Sequence, residues 1–214
     1  MKKSNQKLTF IKPKLFIENE CLVIGSSASL LKKSTLNIDN FNNIIRFNRA
    51  PTDGYEKYVG SRTDYRFLNN HVFENRKIWN NSELFSDPNF EILEKIKDTN
   101  IVRVGTMWPT YKEHKKRYIA NNNNVFIFDY KKINKLKKLV QFESEKNMTI
   151  GAVTISLLLL ANIKINIIGF DIEEKPFSHY WETTPDLGEM HDKSYEKEWL
   201  RSKIQISPNI NILN

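Results

Sequence analysis

The chain has 214 residues, 40% of them hydrophobic and 12% aromatic, and carries 33 Lys and Arg against 25 Asp and Glu, a formal net charge of +8. That length suits one sizeable core, and no apolar run reaches the roughly eighteen residues a membrane span needs. Cys21 is the single cysteine, which excludes an intramolecular disulfide and a cysteine-based structural zinc site. In chain order, residues 1–18 read as a basic N-terminal arm. The opening MKKSNQKLTFIKPKL lacks the apolar core and small-residue cleavage site of a signal peptide, so a cytoplasmic protein is expected. Further lysines gather in KEHKKR (112–117) and KKINKLKK (131–138). Such a balance favours nucleic acid, an anionic membrane surface or a phosphorylated substrate, although lysine-rich helix faces that keep the protein in solution are the simpler reading.

Residues 19–214 read as one domain. Six short apolar, β-branched runs predict strands: CLVIG (21–25), NIIRFN (43–48), TDYRFLN (63–69), IVRVG (101–105), VFIFDY (125–130) and INIIGFD (165–171). Amphipathic stretches separate them. In YKKINKLKKLVQF, Ile133, Leu136, Leu139 and Val140 recur at helical spacing. IGAVTISLLLLANI is apolar almost throughout and predicts a helix buried on most sides. Strands alternating with helices predict an α/β fold: a Rossmann-like, mostly parallel sheet flanked by helices. Ligands in such folds sit beyond the carboxyl ends of the strands, near the switch in strand order. GSSAS after the first strand predicts a serine-capped helix start, where Ser26, Ser27 and Ser29 cap while free N–H groups draw an anion. Alone, that segment fits neither GxGxxG nor a P-loop, and an unliganded turn explains it as well.

The stretch from Cys21 to Phe67 resembles the large sialyl motif of glycosyltransferase family 29, the eukaryotic-type sialyltransferases. CLVIG, GSSASL, RFNRAPTDGYE and VGSRTDYRF carry the likeness. MTIGAVTISLLLLANIKINIIGFD (148–171) resembles the small sialyl motif, HYWE (179–182) the third, and HDKSYE (191–196), as H-x4-E, the last. The resemblance implies a GT-A-like variant fold. It also implies an inverting transfer of a sialic acid from CMP-sialic acid to a hydroxyl of a glycan or glycolipid acceptor, with no metal and no cofactor. It assigns His191 as base and His179 as partner of the donor phosphate. Ser26, Ser27, Ser29, Asn48, Thr149, Ile150, Gly151, His179 and Tyr180 are expected to bind the CMP-sugar. Ile150 stands where the family has a threonine, and Ser29 where it has an asparagine. With Cys21 as the single cysteine the family's disulfide has no counterpart here, so packing alone is expected to hold the fold, and the family's N-terminal membrane anchor is not expected.

The chemistry agrees with that assignment. A neutral imidazole suits proton removal near neutral pH, and a second ring can donate to a departing phosphate. A helix over SYEKEWLRSKI would start just after His191, with Glu196 as structural support. A buried ion pair is at least as natural a role for Arg46 as a phosphate clamp. Trp108, Tyr111 and Tyr180 are candidate pocket walls. A metal site from His179, Glu182, His191 and Asp192 fits no common zinc spacing, and Asp171–Ile172–Glu173 only faintly resembles a metal-binding acidic motif. Two alternatives stay open: a related CMP-activated acid such as Kdo or another nonulosonic acid as donor, and a non-catalytic basic domain for nucleotides or nucleic acid. The lysine clusters lack the interleaved aromatics of a nucleic-acid platform, so no nucleic-acid partner is expected. Peripheral contact with an anionic inner membrane is the role they suggest instead.

Overall fold

The structure is a computed structural model that describes residues 17–32, 36–69, 72, 74–79, 82–88, 99–105, 125–129, 132–170, 179–181 and 191–213. Its strands are β1 (Glu20–Ile24), β2 (Ile44–Phe47), β3 (Tyr65–Asn69), β4 (Glu74–Trp79), β5 (Ser82–Pro88), β6 (Asn100–Gly105), β7 (Val125–Asp129), β8 (Lys164–Ile168) and β9 (Ile210–Ile212). The helices are α1 (Glu56–Val59), α2 (Ile133–Leu139), α3 (Ile150–Leu160) and α4 (Lys193–Ile206). Seven strands form one sheet in the order β7-β6-β3-β2-β1-β8-β9, and every pairing in it is parallel. A separate antiparallel hairpin joins β4 and β5. All six strands expected from sequence are present. The hairpin and β9 are additions that no apolar run announced.

Alternation along the strands divides the core into two faces, as the two-residue period of a strand requires. Cys21 and Val23, Ile45 and Phe47, Tyr65 and Phe67, Val102 and Val104, and Ile165 and Ile167 turn to one face, where α2, α3 and α4 cover them. Leu22, Ile24, Ile44 and Ile168 turn to the other, under Leu30, Ile38, Ala50, Val59 and Tyr180. β1 is therefore buried on both sides, which is why it reads as an unbroken apolar run. Cys21 lies in register with Ile165 of β8, and burial pushes its thiol up to about 12. α3 is wrapped for most of its length, with Gly151 through Leu158 buried. Residues 1–16 of the basic arm lie outside the described residues, whereas Ile17 is packed into the core. Among the described residues no helix is long and apolar enough to cross a membrane.

Two buried arginines tie down the two ends of the loop between β2 and β3. Arg46 is 0% exposed. Its guanidinium donates to Val59 O, to Gly60 O at 3.2 Å, to Arg62 O at 3.2 Å and to Thr63 Oγ1 at 2.9 Å. It is thus caged mainly by carbonyls, neither clamping a phosphate nor buried against a carboxylate. Burial pulls its pKa down to about 10, so the charge is held at a cost that these acceptors offset. Replacing Arg46 with Met strands several buried carbonyls. We expect a loss of about 3 kcal/mol, seen as a fall in Tm of about 6–12 °C. Arg66 donates to Asn48 O and Ala50 O, each at 2.9 Å, and so fixes the NRAP turn.

Candidate active site

In chain order the sheet builds outward from β1 through β2, β3, β6 and β7, then returns to β1's other side with β8 and β9. The direction switches between β1 and β8, where a crevice is expected beyond the strand ends. Gly25 and Gly169 meet there: the Gly25 amide donates to Ile168 O at 2.8 Å. A Cβ on Gly25 would lie 2.0 Å from Gly169 O. Gly169 has φ +71°, a left-handed conformation that suits glycine. Beyond these glycines opens a cavity of about 430 Å³, within the range of small-molecule sites, about 300–1,000 Å³. It gathers residues from well-separated parts of the chain, among them Gly25–Ser27, Asn48, Thr149–Gly151, His179 and His191.

After Gly25 the chain enters a 3-10 turn over Ala28–Lys32 rather than an α-helix. The Ser27 hydroxyl accepts from Ser29 N and donates to Ser29 Oγ, both at 2.9 Å. That local ring competes with helical bonding, so the turn presents no α-helical dipole to an anion. Ser26 and Ser27 line the cavity, whereas Ser29 does not. Asn48 takes φ +44°, a conformation Asn tolerates better than most residues. Its Oδ1 accepts from Asn69 N at 3.0 Å. With that oxygen engaged, the side chain offers the cavity its NH2, a donor suited to a phosphate oxygen or ribose hydroxyl.

Thr149 is the N-cap of α3, its hydroxyl accepting from Ala152 N at 3.1 Å. In a capping box the N3 side chain would reach back to the N-cap amide, but N3 here is Ala152. Glu196 of α4 does it from across the fold, accepting from Thr149 N at 2.6 Å and from Thr149 Oγ1 at 2.7 Å. Burial raises the Glu196 carboxyl above its usual range, opposed by these two bonds and by His191. A raised folded-state pKa means the native state holds this proton more tightly than the unfolded chain. The group's contribution is therefore greatest in acid and is lost as pH rises through the raised value. Glu196→Gln keeps an acceptor and removes the charge, so urea titrations should place it within about 1 kcal/mol of the parent, with a flatter decline from acid to neutral pH. Glu196→Ala frees both Thr149 donors and should cost about 2–3 kcal/mol.

His191 precedes α4, whose N-cap Asp192 accepts from Tyr195 N at 3.1 Å. An isolated parallel bridge pairs its backbone with Asn147, and Nδ1 lies 2.9 Å from Asn147 O. A carbonyl oxygen only accepts, so Nδ1 carries the hydrogen and Nε2 of the neutral ring keeps its lone pair. The neighbouring loop is held to α4 by Trp199 Nε1 donating to Val140 O at 3.1 Å and by Glu143 N donating to Tyr195 Oη at 2.8 Å. His179 is fixed differently, by an antiparallel bridge to Ser27 and by stacking on Trp181, ring centroids 4.6 Å apart.

The structure thus places Ser26, Ser27, Asn48, Thr149, Ile150, Gly151, His179 and His191 around one cavity and leaves two expected ligand contacts outside it. Ser29 is turned into the hydroxyl pair with Ser27. Tyr180 is 4% exposed on the opposite face of the sheet, with its hydroxyl donating to Pro51 O and its amide donating to Ser26 O at 2.9 Å. It secures the loop that carries His179 instead of walling a ligand. Asn69, Phe170, Lys193 and Lys197 line the cavity unforeseen. For Phe170, its place beside Gly169 after a strand was the available signal. Trp108, Tyr111, the 112–117 lysines, Asp171–Glu173 and Glu182 lie outside the described residues. Among the described residues no three His, Cys, Asp or Glu side chains cluster as metal ligands.

A parallel sheet with amides, hydroxyls and imidazoles facing a cavity at its switch point defines an α/β protein suited to a phosphorylated ligand. Comparison with known proteins narrows that class. The chain belongs to glycosyltransferase family 29 (sialyltransferase), whose family model matches residues 4–205. It is 25% identical over 183 residues to the chicken (Gallus gallus) CMP-N-acetylneuraminate-beta-galactosamide-alpha-2,3-sialyltransferase 1, a match covering 82% of this chain and 53% of the relative. It is 26% identical over 202 residues to the bovine (Bos taurus) beta-galactoside alpha-2,6-sialyltransferase 2, covering 83% of this chain and 39% of the relative. The chain therefore spans about half or less of the length of these relatives. A crystal structure of a mammalian sialyltransferase with Gal-beta-1-3GalNAc-ortho-nitrophenol superposes with a TM-score of 0.61 at 20% identity, over 91% of this chain and 69% of that one. That likeness is one of fold.

Proposed function

We propose that the protein transfers a sialic acid from CMP-sialic acid to a hydroxyl of a glycan, with inversion and without a metal. The observation that carries the reading is the fixed tautomer of His191, whose hydrogen-bonded Nδ1 leaves Nε2 as a base beside the cavity. Family membership supplies the donor class. In the proposed step, Nε2 takes the proton of the acceptor hydroxyl as its oxygen attacks the anomeric carbon. The bond from that carbon to the phosphate oxygen breaks, and CMP leaves with the electron pair. His179, the Asn48 NH2 and the Ser26–Ser27 turn are the groups available to donate to the phosphate as charge grows there. A single displacement inverts the anomeric centre. We further propose that the enzyme works in the cytoplasm against an anionic membrane surface, drawn there by its lysines.

The test is CMP release from CMP-Neu5Ac in the presence of EDTA and a mixed galactoside pool, with NMR of the glycan product. Release with an inverted product is the expected result. Turnover of CMP-Kdo alone would keep the reaction and change the donor, and failure to bind CMP would overturn the reading. Liposome flotation checks the membrane proposal: equal binding with and without anionic lipid would remove it.

A further inference from the structure

The lysine run at 131–138 is not uniformly a solvated face. Lys132, Lys135 and Lys138 are exposed, whereas Lys137 is half-buried, its ammonium 5.6 Å from the centroid of the Phe142 ring. That ammonium donates to two main-chain carbonyls of the loop between α2 and α3, Ser144 O at 2.9 Å and Lys146 O at 2.7 Å. Bonds from a charged donor are stronger than neutral ones, and these fall on a loop whose Glu143, Glu145, Lys146 and Asn147 are exposed. The start of the loop has ties of its own to α4 and its cap: Glu143 N donates to Tyr195 Oη, and the Ser144 hydroxyl donates to Asp192 Oδ2 at 3.2 Å. Towards its end, Lys146 O is the clamped group that immediately precedes Asn147, the residue whose carbonyl meets the His191 ring.

We propose that Lys137 is a positioning residue for the base: by clamping the carbonyls of Ser144 and Lys146 it aims the Asn147 carbonyl, which fixes the hydrogen of the His191 ring on Nδ1. This rests on the transferase reading above. Little slack separates the clamp from the ring. Peptide units are planar, so holding Lys146 O holds the unit that ends at the Asn147 Cα. Only the φ and ψ of Asn147 then lie between that unit and the carbonyl 2.9 Å from His191 Nδ1. The backbone bridge between Asn147 and His191 depends on the same orientation. Without the clamp, this exposed stretch opens more readily and its carbonyl turns from the ring. The neutral imidazole is then free to carry its hydrogen on Nε2, which leaves no lone pair there for an acceptor hydroxyl. Lys137 is not among the residues that line the cavity, so it acts through His191 and not on a substrate.

The experiment reads the ring and the turnover on the same proteins. Histidine is labelled with nitrogen-15, and the His191 signals are those missing from His191→Ala. In mildly alkaline buffer, where imidazoles are neutral, the parent should show one hydrogen-bearing ring nitrogen, Nδ1, and one bare nitrogen, Nε2. K137M keeps an unbranched apolar stem beside Phe142 and removes the ammonium. Its two ring nitrogens should draw together in shift as both tautomers are populated. Its kcat for transfer from CMP-Neu5Ac should fall by about 10-fold, with both KM values and CMP affinity kept. K138M removes the same charge from the exposed neighbour and should match the parent in both readouts. Parent-like ring shifts in K137M would overturn the proposal, as would an averaged ring in the parent protein. Equal losses of kcat in K137M and K138M would overturn it too, because charge alone would then be responsible. So would a loss of CMP affinity that matches the loss of kcat in K137M, the mark of general damage to the site. If the parent protein turns over no CMP-sugar, the transferase reading is removed, and the ring spectra, which need no substrate, still decide whether Lys137 fixes the tautomer.

Discussion

His191→Ala should lower kcat by about 10²–10⁴-fold, or roughly 3–5 kcal/mol of transition-state stabilisation, while CMP binds with unchanged affinity. The reasoning is geometric. The histidine is held at both ends, by the backbone bridge to Asn147 and by Nδ1 against Asn147 O. Alanine keeps the first tie and loses only the ring. Asp192 still caps α4, and Glu196 still holds Thr149, so the cavity wall survives. A thermal melt within a few degrees of the parent and an unaltered CMP isotherm would locate the loss in the chemical step. His179→Ala should separate from it: removing a donor to the phosphate weakens donor binding as well as turnover, so KM for the CMP-sugar rises. Equal kinetics in the two variants would contradict the division of roles.

Gly25→Ala is expected to be the most damaging single methyl that can be added to the described part of the molecule. A Cβ there would lie 2.0 Å from Gly169 O and 2.7 Å from Gly169 C. Both obstacles are backbone, and the Gly25 amide already donates to Ile168 O at 2.8 Å. Relief requires the ends of β1 and β8 to part, which disturbs the central pairing of the sheet. Overpacking in a well-filled interior costs about 1–3 kcal/mol and more where no side chain can yield. We expect at least about 3 kcal/mol, a Tm lowered by about 6–12 °C, and loss of CMP binding, because the cavity opens from this junction. Gly54→Ala is the control. Its Cβ would meet nothing within 4 Å, and its φ of +80° alone should cost about 1–2 kcal/mol. If the two substitutions cost the same, the close approach of β1 and β8 does not govern the site.

Much of this arrangement was legible in the linear chain because strand and helix signals are local. Burial on both faces made β1, β2, β3, β6 and β8 readable as apolar runs, and their alternation with helical stretches implied parallel pairing. Motif likeness brought His179, His191, Asn48 and Thr149 forward. β9 was missed because Ile210–Ile212 is three residues long and two of them are exposed, too little for an apolar pattern. The serine turn was misjudged as a helix start because its hydroxyls bond one another.

What the sequence determined by itself was the class of fold, six of its strands and the residue types a phosphorylated donor needs. Only the tertiary structure decided which of those residues share a cavity. Thr149 and Glu196 are 47 positions apart, and Tyr180 and Pro51 are 129 apart. Nothing local to either pair records that one joins the cavity wall and the other braces the opposite face. Local propensity acts over a few residues, whereas a site at a switch point is made where distant strand ends converge, and that convergence is set by packing of the whole sheet.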